Sequence, residues 1–261
     1  MRKPSRLDYA FAVGKVRALE KRLVSKEVFR EAADESDLQS AVKVIFEAGI
    51  FSEEMMEIKD SEALDGYLEK ETNNIRVLMG ELLLEKDILR IFEEDERLQN
   101  AALLAPGCGY AFIRDYLRHR IDLANIKIFC RIKYSGFPKE KLESLILKGG
   151  FLDEKIFLQS FDLSFSEIGE KIQASPYIEL WTRATDTLEE QETFVALERG
   201  IEDFLMKHLQ KAKYIVFGPE PVFAYGLAKK SELGLVRLVG IGKLTQIPPQ
   251  ILKERISETY V

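Results

Sequence analysis

The chain has 261 residues, 46% of them hydrophobic, enough for one large domain or two small ones with a buried core. Lys+Arg 38 against Asp+Glu 44 leaves a net charge of −6. No concentrated basic face for phosphate neutralisation follows from that balance, so nucleic acid is not an expected partner. Only Cys108 and Cys130 occur, and no charged-then-apolar segment precedes the first helix, so a reducing, cytoplasmic location without a disulfide is expected. The longest apolar tracts, at 82–84 and 235–241, are far short of the roughly 20 residues that span a bilayer, so no direct membrane span is expected.

The periodicity is helical almost throughout. In residues 9–24, Val13, Val16, Leu19 and Leu23 recur at three and four while Lys15, Arg17, Glu20, Lys21 and Arg22 take the other face, which predicts a half-buried helix. Ser25 predicts the N-cap of a short helix through Phe29, and Asp37 that of a third helix running to Ala48 and stopped by Gly49. From Ser61 to Leu104 the pattern reads as one long helical stretch, broken clearly only at Pro106-Gly107-Cys108-Gly109. A helix over 110–134 ends at Ser135-Gly136, Pro138 opens a short helix to Leu147, and Gly149-Gly150 closes it. Short helices are predicted at about 153–161 and 164–174, followed by a segment opened by Pro176. A second long helix is predicted over 187–211, with Phe194, Leu197, Ile201, Phe204, Leu205 and Leu209 as its stripe. Pro219 and Pro221 open a helix to about Gly242, and Pro248-Pro249 opens the last. The only β-like run, 214–217, is short, so the fold is predicted to be all-α.

Self-similarity adds a further constraint. Asp122-Leu123-Ala124-Asn125-Ile126-Lys127-Ile128-Phe129 matches Glu232-Leu233-Gly234-Leu235-Val236-Arg237-Leu238-Val239 at an offset of 110 residues, which also pairs Lys133 with Lys243, Pro138 with Pro248 and Leu142 with Leu252. The same step backwards sets Val16-Arg17-Ala18-Leu19 on Ile126-Lys127-Ile128-Phe129. A 3.6-residue stripe explains apolar matches, but it does not require a shared acid, base, lysine and helix-opening proline. The expectation is therefore pseudo-repeated helical bundle lobes of period about 110: lobe 1 at about 1–115, lobe 2 at about 116–225 and a partial closing repeat at about 226–261, the last docking against the first.

These residues resemble the C/d subunit family of V-type and archaeal-type ATPases. The run from Tyr9-Ala10-Phe11-Ala12-Val13 through Val16-Arg17-Ala18-Leu19-Glu20 is similar to that family's opening motif. Asp122-Leu123-Ala124-Asn125-Ile126-Lys127 with Arg131 and Lys133 is similar to its central one. Pro221-Val222-Phe223-Ala224-Tyr225 with Lys229, Glu232, Arg237 and Lys243 is similar to its closing one. The likeness spans the chain as a single C/d-like domain. It departs from the family in length, since members carry three such lobes, and in having Leu235 where they often have Asn. The resemblance implies a funnel-like, non-catalytic central-stalk subunit on the cytoplasmic opening of the membrane rotor ring. Such a subunit receives the axle and its small companion subunit, and it links ATP hydrolysis or synthesis to proton or sodium transport.

No phosphate loop of the form Gly-x-x-x-x-Gly-Lys-Ser/Thr occurs; Gly240-Ile241-Gly242-Lys243 is nearest, but it ends a helix where a nucleotide loop would follow a strand. His119 and His208 lie far apart and read as surface residues or polar rims, and the two cysteines read as structural, so no catalytic residue, metal or cofactor is expected. The acidic run Glu93-Glu94-Asp95-Glu96 reads as a solvated helix end. For the repeated charges two readings stay open. Asp122 and Glu232 pair with bases of adjacent helices, with Asn125, Lys127, Arg131, Arg237 and Lys243 fixing lobe geometry. Alternatively the bases Arg17, Arg22, Lys127, Arg131, Arg237 and Lys243 face axle or ring and steer assembly. A helical-repeat scaffold unrelated to ATPases, and an all-helical enzyme whose distant acids converge, are the competing functions.

Overall fold

The computed structural model describes residues 4–94 and 98–261, and every regular element among them is helical, with no strand. After a single 3-10 turn, Arg6–Tyr9, the chain enters α1 (Ala10–Glu20), whose core face is Ala12, Val13, Val16 and Glu20. Helices α2 (Lys26–Asp34) and α3 (Leu38–Ala48) follow. The Asp37 carboxylate accepts from the Ser40 amide at 3.0 Å, the cap read from the sequence. Asp60 does the same for Ala63 at 2.8 Å and starts α4 (Ser61–Leu82).

The long stretch expected over 61–104 is not continuous. It stops at Leu82, Leu83 is extended, and α5 (Lys86–Glu93) and α6 (Leu98–Leu104) are separate helices. Leu82 and Leu83 are both buried while Leu84 is 46% exposed. Consecutive residues of a helix point in different directions, so burying both leucines favours a bend over another turn of helix. Within the acidic run, Asp95 and Glu96 lie outside the described residues; Glu93 is exposed and Glu94 accepts from Asn100 at 2.8 Å.

Helix α7 (Ala111–Tyr134) is followed by α8 (Lys139–Glu143), α9 (Lys155–Gln159) and α10 (Phe165–Lys171). The last of these opens with a capping box between Ser164 and Glu167. The helix expected over 187–211 is also divided: α11 (Ile178–Gln191) ends where Glu192 turns left-handed at φ 55°, and α12 (Val195–Gln210) begins beyond it. The break lets Trp181, Ala184 and Leu188 on α11 and Leu197 on α12 enter one core with Phe129, Phe157 and Tyr177. Helix α12 passes α11 closely, since a Cβ at Gly200 would lie 3.2 Å from Leu180. The Trp181 indole donates to the Phe165 carbonyl at 3.0 Å, so the largest core side chain has its polar atom satisfied.

The chain closes with α13 (Pro219–Leu244) and α14 (Pro249–Arg255). Helix α13 is buried on nearly all sides because α1, α2, α3, α4 and α5 surround it, and even Glu220, Lys229 and Glu232 on it are buried. Gly226 and Gly240 permit this: a Cβ at the first would lie 2.6 Å from Met79 Sδ, and at the second 2.7 Å from Leu64. The closing segment thus packs on the opening one. Contacts divide the chain into two compact units, Met1–Glu93 with Met206–Val261, and Glu94–Leu205. This division follows packing and is not the cut drawn by the 110-residue period.

Candidate functional site

The motif residues are engaged inside the fold in three groups. In the second unit Asp122 is fully buried on α7 and accepts from the consecutive amides of Phe151 (2.8 Å) and Leu152 (3.1 Å) and from the Tyr177 hydroxyl (2.7 Å). One turn on, Asn125 bonds Leu147 in both directions, its amide donating to the carbonyl and its oxygen accepting from the N–H, each at 2.8 Å. Together they stitch loop 147–152 to α7. The glycine pair of that loop is required: Gly149 has φ 100°, and a Cβ on Gly150 would fall 1.9 Å from Asp122 Oδ1. The Gly150 carbonyl accepts from Arg118, whose guanidinium also lies over the Phe151 ring at 3.9 Å.

Burial pushes the Asp122 carboxyl above its ordinary range, although the tyrosine and the two amides oppose that. The expectation that Asp122 pairs with a base of an adjacent helix is corrected here. Its partners are backbone amides and a phenol, because a site closed to water rewards donors that bring no second charge to desolvate. The oxygen of Tyr177 also meets His119 Nδ1 at 2.7 Å, so that histidine belongs to a packed aromatic group with Phe151 and Phe204.

The bases of α7 form the second group. Lys127 (3.1 Å) and Arg131 (2.5 Å) converge on Glu198 of α12. Burial pushes Glu198 up, but the hydrogen bonds and charges of these two bases outweigh it and hold the carboxyl below its ordinary range. Both bases are paired with this carboxylate at a partly exposed position.

The third group is in the first unit. Glu232 is buried on α13, accepts from the Val24 amide at 2.6 Å and is ion-paired with Lys229 on its own helix. The expected partner on an adjacent helix is again corrected: one turn back on α13 is the shortest route to a cation that need not leave the core. Burial raises the Glu232 carboxyl despite Lys229. Lys229 also donates to the Ile50 carbonyl at 3.2 Å. Arg17 binds Glu20 and the carbonyls of Ala212 and Ile215, while Arg22 reaches the Gly49 carbonyl at 3.4 Å. Arg237 pairs with Asp65 at 2.9 Å on the surface. Lys243 donates to the carbonyls of Ala33 (2.7 Å) and Glu35 (2.5 Å), closing the end of α2.

The structure does not bring the nine motif residues into one site. Sequence reasoning missed Tyr177 and Glu198, and it quoted Lys229 and Glu20 within the motifs without giving them partners. Lys229 and Glu20 were findable as i,i+3 partners of Glu232 and Arg17, whereas Tyr177 and Glu198 carry no local signal. Cys108 and Cys130 are buried and unbridged, with burial pushing the Cys130 thiol up to about 12. His208, read as a rim residue, is 6% exposed. Among the described residues no group of three or more His, Cys, Asp or Glu side chains could hold a metal ion, and no helix is long and apolar enough to cross a membrane.

A family model described as the ATP synthase (C/AC39) subunit matches residues 96–255, which includes Asp122, Asn125, Glu232 and Lys243. The chain belongs to this family. Its similarity to the C subunit of the A-type ATP synthase of Haloferax volcanii is 26% identity over 144 residues, 55% of this chain and 41% of that protein. The corresponding A-type C subunit of Halobacterium salinarum aligns at 23% over 232 residues, 84% of this chain and 66% of that one. The C subunit of the V-type sodium ATPase of Enterococcus hirae aligns at 28% over 152 residues, 58% and 46%. This member of the family therefore spans less than two thirds of the length of these relatives. Membership removes the scaffold unrelated to ATPases from the competing functions. Residues of the central and closing motifs bind loop and helix-end backbone: Asp122 and Asn125 hold loop 147–152, Glu232 the Val24 amide and Lys243 the end of α2.

Proposed function

We propose that this chain is a non-catalytic central-stalk subunit of a V/A-type ATPase, joining the rotating axle to the membrane ring and coupling ATP turnover to proton or sodium transport. In this reading it is peripheral to the membrane on the cytoplasmic side. Its partners are the axle, the axle's small companion subunit and the rotor ring. The family match across residues 96–255 carries the proposal. The fate of the motif charges supports it: Asp122, Asn125 and Lys243 bind backbone groups of the chain itself, a pattern suited to a stiff transmitting element. The lobes of period about 110 are part of the same reading, as repeated units presenting successive helix ends to the ring.

The test is deletion in the source cells followed by purification of the ATPase. The tagged chain is expected to co-purify with the complex. Without it, the soluble head should still hydrolyse ATP while ion pumping is lost. Pumping at the original ratio per ATP in the deletion strain would refute the coupling role.

A further inference from the structure

The outward face of α1 is apolar along its length. Val13, Val16 and Glu20 turn inward, and on the opposite side Leu7 is 67% and Phe11 78% exposed, with Gly14 and Ala18 continuing the line at helical spacing and Lys21 ending it. On one flank, Val77 of α4 and Leu84 just beyond that helix are exposed, and α1 is tied to α4 by Lys15 and Glu81 at 3.6 Å. On the other flank, segment 212–217 presents Tyr214 at 88% and Val216 at 68% exposure.

That segment is held in place. The Arg17 guanidinium donates to the carbonyls of Ala212 (2.7 Å) and Ile215 (2.9 Å), and Arg6 donates to that of Phe217 (2.7 Å). Two arginines therefore fix a backbone that carries the exposed Tyr214 and Val216, while Ala212 is buried beneath it. Single exposed apolar residues are ordinary, but a contiguous apolar strip carrying Phe11 and flanked by Tyr214 marks an interaction surface.

The charges along the strip are uneven. Arg6, Lys15 and Arg17 are matched by Glu220, Glu81 and Glu20. Lys21, Lys211 and Lys213 are exposed at the far end of α1 and beside it, with no carboxylate paired to them among the described residues, an excess of positive charge on a chain whose net charge is −6.

We infer that this strip seats one helix of another protein, apolar where it crosses Leu7, Phe11, Gly14 and Ala18 and acidic where it passes Lys21 and Lys211. A helix fits because Gly14 leaves the middle of the strip bare, with nothing within 4 Å of a Cβ placed there. The low line between Phe11 and Tyr214 then admits a second helix at an axis separation of about 8–10 Å. A lipid surface is disfavoured by Asp8 and Glu81 along the strip. The inference stands apart from the coupling role, since it names a surface and the chemistry of its occupant whichever complex holds the chain.

The test places a photo-crosslinking benzoylphenylalanine at Phe11, and separately at Tyr214, in the full chain in its own cells. Both positions should crosslink to one segment of one other protein, with apolar residues at three and four and acids toward the lysine end. Crosslinks to a second copy of this chain, to lipid, to scattered proteins or to nothing would overturn it. Gly14→Glu replaces a helix glycine where there is room, so the melting temperature should hold or rise while the Tyr214 crosslink falls about tenfold. Lys21→Glu with Lys211→Glu should weaken it comparably. An undiminished crosslink in Gly14→Glu would show that the strip is not the seat, and in the lysine pair that its occupant is not acidic.

Discussion

Gly150 and Asp122 meet so closely that a Cβ on the glycine would lie 1.9 Å from one carboxylate oxygen and 2.7 Å from the carboxyl carbon. The acid can bind the Phe151 and Leu152 amides only because position 150 has no side chain. Gly150→Ala is expected to cost about 3 kcal/mol or more by forcing the loop off α7. Asp122→Ala should cost about 2–4 kcal/mol by leaving a buried phenol and two part-buried amides without an acceptor. Urea unfolding of each variant measures this, and wild-type midpoints would show that the loop is not held this way.

Two carboxylates should give stability opposite pH dependences. Asp122 is raised in the fold, so its contribution is fully present below its unfolded value near 3.8 and is lost as pH rises through the folded value. The advantage of wild type over Asp122→Asn should therefore shrink as pH climbs from about 4. Glu198 is lowered, so its contribution is present above its unfolded value near 4.5 and is lost as pH falls through the folded value. Glu198→Gln should flatten the acid limb of the stability profile. Melting curves between about pH 3 and 7 check both signs.

The ends of α7 and α13 repeat one geometry at the 110-residue offset. Phe137 N–H donates to the Ile132 carbonyl at 3.1 Å, and Ile247 N–H to the Gly242 carbonyl at 2.8 Å, with left-handed residues Gly136 (φ 68°) and Gln246 (φ 55°) just before. Only the first has the residue this conformation favours. Gln246→Gly is expected to stabilise by about 0.5–1 kcal/mol and Gly136→Gln to destabilise by a similar amount. Thermal unfolding of the two variants should move in opposite directions.

Two helix glycines should also respond oppositely to alanine. Gly14 has open space around it, so Gly14→Ala gains helix propensity of about 0.5–1 kcal/mol. At Gly240 the new methyl would lie 2.7 Å from Leu64, so Gly240→Ala should lose about 1–3 kcal/mol through displacement of α4. Equal shifts would contradict the packing of α13 against α4.

Read as a string of residues, this chain already discloses whatever depends on near neighbours. The helical class, the helix starts at Ser25, Asp37 and Ser164, the helix-opening prolines and the family resemblance were legible because helix periodicity, capping and motif order are local. The offset between Asp122 and Glu232 was legible for the same reason. Where two long stretches break was settled only on folding, since burying Leu82 with Leu83, and turning Trp181 and Leu197 into one core, are gains made against distant residues. The partners of the motif acids were settled in the same way. Tyr177 lies 55 residues from Asp122 and Val24 lies 208 from Glu232, separations over which the identity of one residue carries no trace of the other until the backbone has folded back and excluded water between them.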